Sequence, residues 1–244
     1  WSQLQYLAGD MLHPHGVRFS ITGGEPLLSQ GIVECAFLSL SLQHKTPYKT
    51  FKKWFKSPYL EDLGSAQQRL EMLHDLDTFF HDEMPLSSVL THLQNHHADH
   101  SICSLLAHLL SHDFPVRTGI HQARTWMDEH FKILQFPNYT RLSSASYQAF
   151  MMLADSLDQL FELDFYHTHL DQESFVFKLQ LLWQSTMFQV QSPKNVSIRI
   201  MGPLEAQCIP FDALYLADFD ARNYPLQRDY NPFIPISMQI QHQM

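Results

Sequence analysis

Val196-Ser197-Ile198-Arg199-Ile200-Met201, near the C-terminal end of this 244-residue chain, alternates apolar and polar side chains and reads as a short strand. Further on, Ala213-Leu214-Tyr215-Leu216-Ala217 is a continuous apolar run, the pattern of a strand buried on both faces of a parallel sheet. A matching signal stands at the opposite end of the chain. Val17-Arg18-Phe19-Ser20-Ile21-Thr22 alternates and stops at Gly23-Gly24. Pro26 then opens a helix to about Leu42, with Leu28, Ile32, Val33, Phe37 and Leu40 at helical spacing.

Between these ends the signals are helical. Pro47 to Phe55 is a short helix, ended at Ser57-Pro58 because the residue before proline avoids helical angles. Gly64 to His81 is amphipathic on Leu70, Leu73, Leu76 and Phe80. Leu86 to His112 reads as two helices, or one broken near Asp99. Thr118 is placed to cap a helix to Leu134. Ser143 to Leu163 is the clearest helix, with serines at its start and a stripe of Tyr147, Phe150, Met151, Ala154, Leu157, Leu160 and Phe161. Asp171 is placed to cap a last helix to about Gln189. The layout predicts an α/β but predominantly helical fold: a small parallel sheet interrupted by a large helical insertion. The expected divisions are 1–46, 47–190 and 191–244, the last ending in a proline-punctuated tail.

A hydrophobic content of 45% against 17% charged residues allows a real core and argues against global disorder. No apolar run approaches the roughly 18 residues needed to cross a bilayer. Cys35, Cys103 and Cys208 are odd in number and far apart, which argues against a disulfide framework and fits a reducing, cytoplasmic setting. A start at Trp1 with no leader pattern reads as an internal piece of a longer protein. The formal net charge of −9 is unfavourable for a free-standing nucleic-acid binder, although 16 histidines reduce it in acid.

The late region also carries motifs. Gly202-Pro203-Leu204-Glu205-Ala206 leads into Phe211-Asp212 and the apolar run, then into Pro225 and Asn231-Pro232-Phe233-Ile234-Pro235. This order resembles the late motif region of superfamily 1 helicase-like proteins, above all the AddB-type subunits of bacterial helicase-nucleases and related DNA repair proteins. Gly16-Val17-Arg18-Phe19-Ser20, Glu25-Pro26-Leu27-Leu28, Phe55-Lys56-Ser57-Pro58-Tyr59-Leu60, Trp126 and Ser146-Tyr147-Gln148 are similar to further patches of that family. The resemblance implies that 1–46 and 191–244 belong to a second RecA-like domain and that 47–190 is its inserted helical subdomain. It implies a role in recombination and double-strand break repair, with DNA and a partner subunit or neighbouring domain as partners. The helicase-nuclease parent would be a hydrolase with exonuclease activity. Gly202, Leu204, Glu205, Phe211 and Asp212 would be the remnant of a helicase motif. The chain departs from an active helicase, however. The lysine expected before that glycine is missing, and no glycine-rich phosphate loop ending in Gly-Lys-Ser/Thr occurs. The nuclease module of such proteins lies beyond this region. The expectation is therefore no catalytic residue and no cofactor on this chain.

Four side-chain groups invite a site. Lys49, Lys52, Lys53 and Lys56, interleaved with Phe51, Trp54 and Tyr59, combine positive charge with stacking surface and are the candidate DNA contact. The plainer reading is a solvated lysine side and an aromatic core side of one helix. His92, His96 and His100 recur at one helical face with Cys103 close by, spacing that zinc can use. The glutamate of a His-Glu-x-x-His site is absent, so the expectation is no metal. Asp75, Asp77, Asp82 and Glu83 read as an exposed acidic face in preference to a carboxylate metal site. Glu205 and Asp212 read as turn-stabilising acids in preference to a catalytic pair. The functional expectation is a non-catalytic scaffold that contacts DNA or a partner. The alternative is a helical protein-interaction module with no nucleic-acid role.

Overall fold

The computed structural model describes residues 7–8, 10–60, 63–96, 101–115, 119–138, 142–161, 170–191, 196–207, 209–217 and 238–239. Strand β1 (Phe19–Ile21) is followed by β2 (Glu25–Pro26) and a single 3-10 turn at Leu27–Ser29. Helices α1 (Gly31–Leu40), α2 (Tyr48–Phe55), α3 (Ala66–Phe79), α4 (Leu86–His96), α5 (Ser101–Ser111), α6 (Ile120–Ile133), α7 (Ser144–Phe161) and α8 (Gln172–Ser185) follow, then β3 (Met187–Phe188) and β4 (Ile198–Ile200). The fold is predominantly helical with a small parallel sheet, as the pattern predicts. The two terminal strand signals meet: β1 and β4 pair in parallel, with Phe19 opposite Ile198 and Ile21 opposite Ile200. Thr22 extends the ladder, its N–H donating to the Ile200 carbonyl at 2.9 Å.

A second pairing has no counterpart in the sequence pattern. β2 and β3 run antiparallel, Glu25 opposite Phe188 and Pro26 opposite Met187. Each strand is two residues long, too short for any periodicity to register. Gly24 allows the approach, since a Cβ there would stand 3.2 Å from both Met187 Cβ and the Phe188 carbonyl. This pairing also ends α8 at Ser185, four residues before the expected Gln189.

α1 is the centre of the helical packing. Ile32, Val33, Cys35, Ala36, Ser39 and Leu40 are all buried, so both sides of the helix are covered. It packs against α2, α6, α7 and α8. The residues of the N-terminal division thus share one core with the helical block, and Trp1–Gly202 forms one compact unit. Two polar side chains tie distant parts of this unit together: the Trp183 indole N–H donates to Ser156 Oγ at 3.1 Å, and Gln172 Nε2 donates to the Leu40 carbonyl at 3.0 Å.

Most helix limits follow their signals. The predicted break falls between α4 and α5, and Asp171 caps α8, its carboxylate accepting the Ser174 N–H at 2.7 Å. Ser143 caps α7, its Oγ accepting the Ser146 N–H at 3.1 Å. Four expectations need correction. The helix expected to open at Pro26 begins at Gly31, because Pro26 is taken into β2 and Leu27–Ser29 forms a 3-10 turn. Gly119, not Thr118, stands at the N-cap of α6; Thr118 itself lies outside the described residues. On α3 the expected Leu73 and Leu76 are buried, joined by Arg69 and Met72, whereas Leu70 is 53% exposed. On α7, Ala149, Phe150, Leu153 and Leu157 are buried, while Tyr147 and Met151 face outward.

Pro203–Met244 forms a second unit. Its described part opens on a turn over 203–207 and continues without helix or strand to Ala217. The expected buried strand Ala213–Ala217 is therefore absent. Leu214, Tyr215 and Leu216 are exposed, Tyr215 at 94%. Hydropathy reports a side chain's preference, but a strand also needs a neighbour for its backbone groups, and the run has none among the described residues. Residues 218–237 and 240–244, and with them Pro225 and Asn231 to Pro235, lie outside the described residues.

Candidate nucleic-acid interface

α2 sorts its eight residues into two faces. Tyr48, Phe51, Trp54 and Phe55 are fully buried, while the lysines turn outward. The aromatic rings stack on one another, Phe51 on Phe55 at 5.0 Å and Phe51 beside Trp54 at 6.0 Å. Trp54 is 0% exposed, and its indole N–H has no hydrogen-bond partner. The reading of Trp54 as a stacking surface for a base is therefore corrected: no face of its ring is open. Its alternation with lysines marks helical amphipathicity, and a sequence alone cannot say how deep the aromatic face goes.

The lysines meet the acidic residues, which the sequence presents as a separate cluster. Lys49 pairs with Glu83 at 2.5 Å, Lys53 with Glu34 of α1 at 2.6 Å, and Lys52 bridges Asp77 at 3.2 Å and Asp82 at 3.0 Å. Asp77 also accepts the Tyr48 hydroxyl at 2.9 Å, and the Lys52 ammonium lies 5.3 Å from the Tyr48 ring centre. The pairing leaves a signature in proton affinity. Asp82 and then Asp77 raise the Lys52 ammonium, Glu83 raises Lys49, and burial followed by Asp77 pushes the Tyr48 phenol upward. Lys56 is exposed and has no ion pair among the described residues. Three of the four lysines are thus already held by four carboxylates. A phosphate backbone would compete with those carboxylates for the same ammonium groups, which weakens this face as a nucleic-acid contact.

The loop that follows α2 is held by Arg69, a residue the sequence reading passes over. The residue is 1% exposed, and its guanidinium donates to the carbonyls of Phe55 at 3.0 Å, Ser57 at 2.9 Å, Leu60 at 2.6 Å and Gly64 at 2.6 Å. Gly64 adopts a positive φ of 106°, open to glycine at little cost, and so aims its carbonyl at the guanidinium. The signal was legible in principle: Arg69 stands three and four residues before Met72 and Leu73, on their face of α3. The five-donor planar fork explains why arginine can gather so many carbonyls.

The histidine face divides in the structure. His92 is half-buried between Phe79, at 4.8 Å, and Phe80, at 5.3 Å, while His96 is exposed, its ring tilted against that of His92 at 4.4 Å. His100 lies outside the described residues. Cys103 is buried, its thiol 3.8 Å from the Leu93 carbonyl, so it belongs to the core and not to the histidine face. Among the described residues, no three His, Cys, Asp or Glu side chains converge as metal ligands. Cys35 is likewise a core thiol, pushed up to about 12 mainly by burial and so held protonated.

The motif residues of the second unit are superficial. Pro203 to Gln207 forms a turn, the Gln207 N–H donating to the Leu204 carbonyl at 3.3 Å. Leu204, Glu205 and Asp212 are exposed, and Phe211 is half-buried; Gly202, half-buried, closes the first unit. No helix among the described residues is long and apolar enough to cross a membrane. No family model, curated protein or solved structure matches this chain.

Proposed function

We propose that this chain is a non-catalytic part of an AddB-like, helicase-nuclease-type protein of double-strand break repair. In this reading it comprises part of a second RecA-like domain and the helical subdomain inserted there. Its role is to scaffold the parent protein, contacting a partner subunit or neighbouring domain and guiding DNA weakly. The observation that carries the reading is the parallel pairing of β1 with β4, in which Thr22 and Ile200 are hydrogen-bonded across 178 residues of sequence. A parallel pair whose crossover is an entire helical block is the arrangement that such an insertion requires. The motif order from Gly202 to Pro235 supports the same reading from the sequence. Reading the parent gene through both flanks tests it. A nuclease module downstream and a degenerate ATPase half upstream are the expected result, and flanks with neither overturn it.

A helical protein-interaction module with no nucleic-acid role is the second reading, favoured by the neutralisation of Lys49, Lys52 and Lys53. Fluorescence anisotropy with a labelled single strand separates the two. The first reading expects weak binding at low salt, with log affinity falling by about 0.7 per phosphate neutralised for each tenfold rise in salt. Lys53→Ala with Lys56→Ala should weaken that binding. Absence of binding even at low salt favours the interaction module. Tight binding that persists at physiological salt contradicts the charge argument behind both.

A further inference from the structure

α6 holds a histidine that neither reading above uses. His130 is 2% exposed, and neither of its ring nitrogens has a hydrogen-bond partner. Its ring centre stands 5.3 Å from Trp126 and 6.3 Å from His112. The His112 and Trp126 rings lie parallel, 5.9 Å apart, and their backbones clasp them together. The Trp126 indole N–H donates to the His112 carbonyl at 3.1 Å, and His112 Nε2 lies 3.3 Å from the Trp126 carbonyl. Phe114 and Phe175 meet the Trp126 ring from other sides.

No charged side chain among the described residues pairs with the His130 ring itself. On α6 itself, Glu129 is exposed and stands 3.9 Å from His112, while Asp128 and Lys132 are exposed. Asp158 of α7 pairs with Arg124 at 2.9 Å, and Asp155 is exposed. From α5 and the segment after it, His108 and Asp113 are exposed, as is Glu173 of α8. Glu34 of α1 pairs with Lys53. What α1 presents to His130 is the backbone of Ser39, in its last turn, where carbonyls carry partial negative charge. That backbone favours a proton on the ring without reaching hydrogen-bond geometry. Burial and then His112 outweigh it and hold the imidazole's proton affinity down at about 4.

We propose that His130 is an acid-sensitive joint between α6 and the end of α1, where protonation expels the ring from its slot and opens the His112–Trp126 clasp. A charged imidazole in this slot is cut off from bulk solvent and pairs with no carboxylate among the described residues. The sign follows from linkage. The folded slot favours the neutral ring, whereas an opened or unfolded chain takes the proton near the ordinary value of about 6.5. The contribution of His130 is therefore complete above that value and is lost as the pH falls toward 4.

Urea denaturation at pH 7.5 and pH 5 tests the joint in the wild type and in His130→Leu. The wild-type midpoint should fall on acidification, and the leucine variant should lose less of its own midpoint over the same interval. An equal loss in both overturns the proposal. Should His130→Leu fail to fold, proton NMR of the wild type decides. A His130 ring signal that begins to titrate only well below pH 6, together with displacement of the Trp126 indole N–H resonance, supports the joint. A ring that titrates near 6.5 with the indole signal unmoved overturns it.

Discussion

At the scale of single residues, Arg69 and Trp54 show how differently two buried polar side chains behave. Arg69 satisfies four backbone carbonyls at once. Its removal strands those groups inside the protein, and each unsatisfied buried group costs about 1–3 kcal/mol. Arg69→Met is therefore expected to lower unfolding free energy by about 3 kcal/mol or more in urea denaturation. Arg69→Lys should recover only part of this, because a single ammonium cannot reproduce the fork. Trp54 contributes packing and no hydrogen bond. Trp54→Ala should cost about 3–5 kcal/mol by opening a cavity. Trp54→Phe should cost only about 1.5 kcal/mol, since it removes an unpaired N–H along with part of the ring. Any effect of Trp54→Ala on DNA binding should then track loss of fold in circular dichroism, and Trp54→Phe should bind like the wild type. The aromatic side of α2 was readable as a core face from its spacing, and Arg69 from its place beside Met72 and Leu73, but neither the full closure of Trp54 nor the four carbonyls on Arg69 could be read before the distant segments were placed.

At the scale of elements, the caps are where local sequence rules hold most firmly. Ser65 accepts the Gln68 N–H at 3.2 Å and donates its own N–H to the Gln68 side chain at 2.9 Å, a reciprocal closure of the first turn of α3. Ser65→Ala should cost about 1 kcal/mol in urea denaturation. α3 also carries Arg69 and the carboxylates of Asp75 and Asp77, so fraying its start should loosen the α2 loop as well. Asp171 caps α8, and the Ser174 side chain, then the Ser174 N–H, draw its carboxyl below the ordinary range. A depressed folded value means that the cap stabilises above the unfolded pKa and fades as the pH falls through the folded one. Asp171→Asn should flatten the stability profile in strong acid, measured by thermal unfolding. The caps at Ser143 and Asp171 were readable because they depend on residues three or four apart. The 3-10 turn at Leu27–Ser29 and the β2–β3 pair were not, because they depend on Thr186 and Met187 at the far end of the helical block.

At the scale of the whole molecule, stability should be unevenly distributed. α1 is enclosed by four helices, whereas β1 and β4 form a sheet of only two described strands joined across most of the chain. Small sheets are marginal by themselves, and long-range closure carries the entropy of the intervening loop. Native-state hydrogen exchange should therefore show the α1 amides of Ala36 and Leu40 exchanging slowest, and Thr22 and Ile198 orders of magnitude faster. Equal protection in both would mean that the sheet and the helical core open as one unit. The negative net charge acts on the same scale. It is spread so that the basic stripe of α2 lies against carboxylates from three other segments, and the long-range field around that stripe is correspondingly weak.

The sequence by itself determined the helical character of the block from Pro47 onward, the break between α4 and α5, the cap at Asp171 and the two terminal strands. These follow from hydropathy period and short-range capping, which act between neighbours along the chain. That β1 and β4 should share a sheet was readable as well, because strand signals at both ends of a helical block leave few other ways to pair. Tertiary structure alone decided that Trp54 is closed, that Arg69 is a clamp, that the lysines and the acids are one network, and that Leu214 to Leu216 are exposed. Each of these depends on which distant segment supplies a carbonyl, a carboxylate or a covering surface. A side chain's own identity states what it can accept, and only the fold brings the partner within reach.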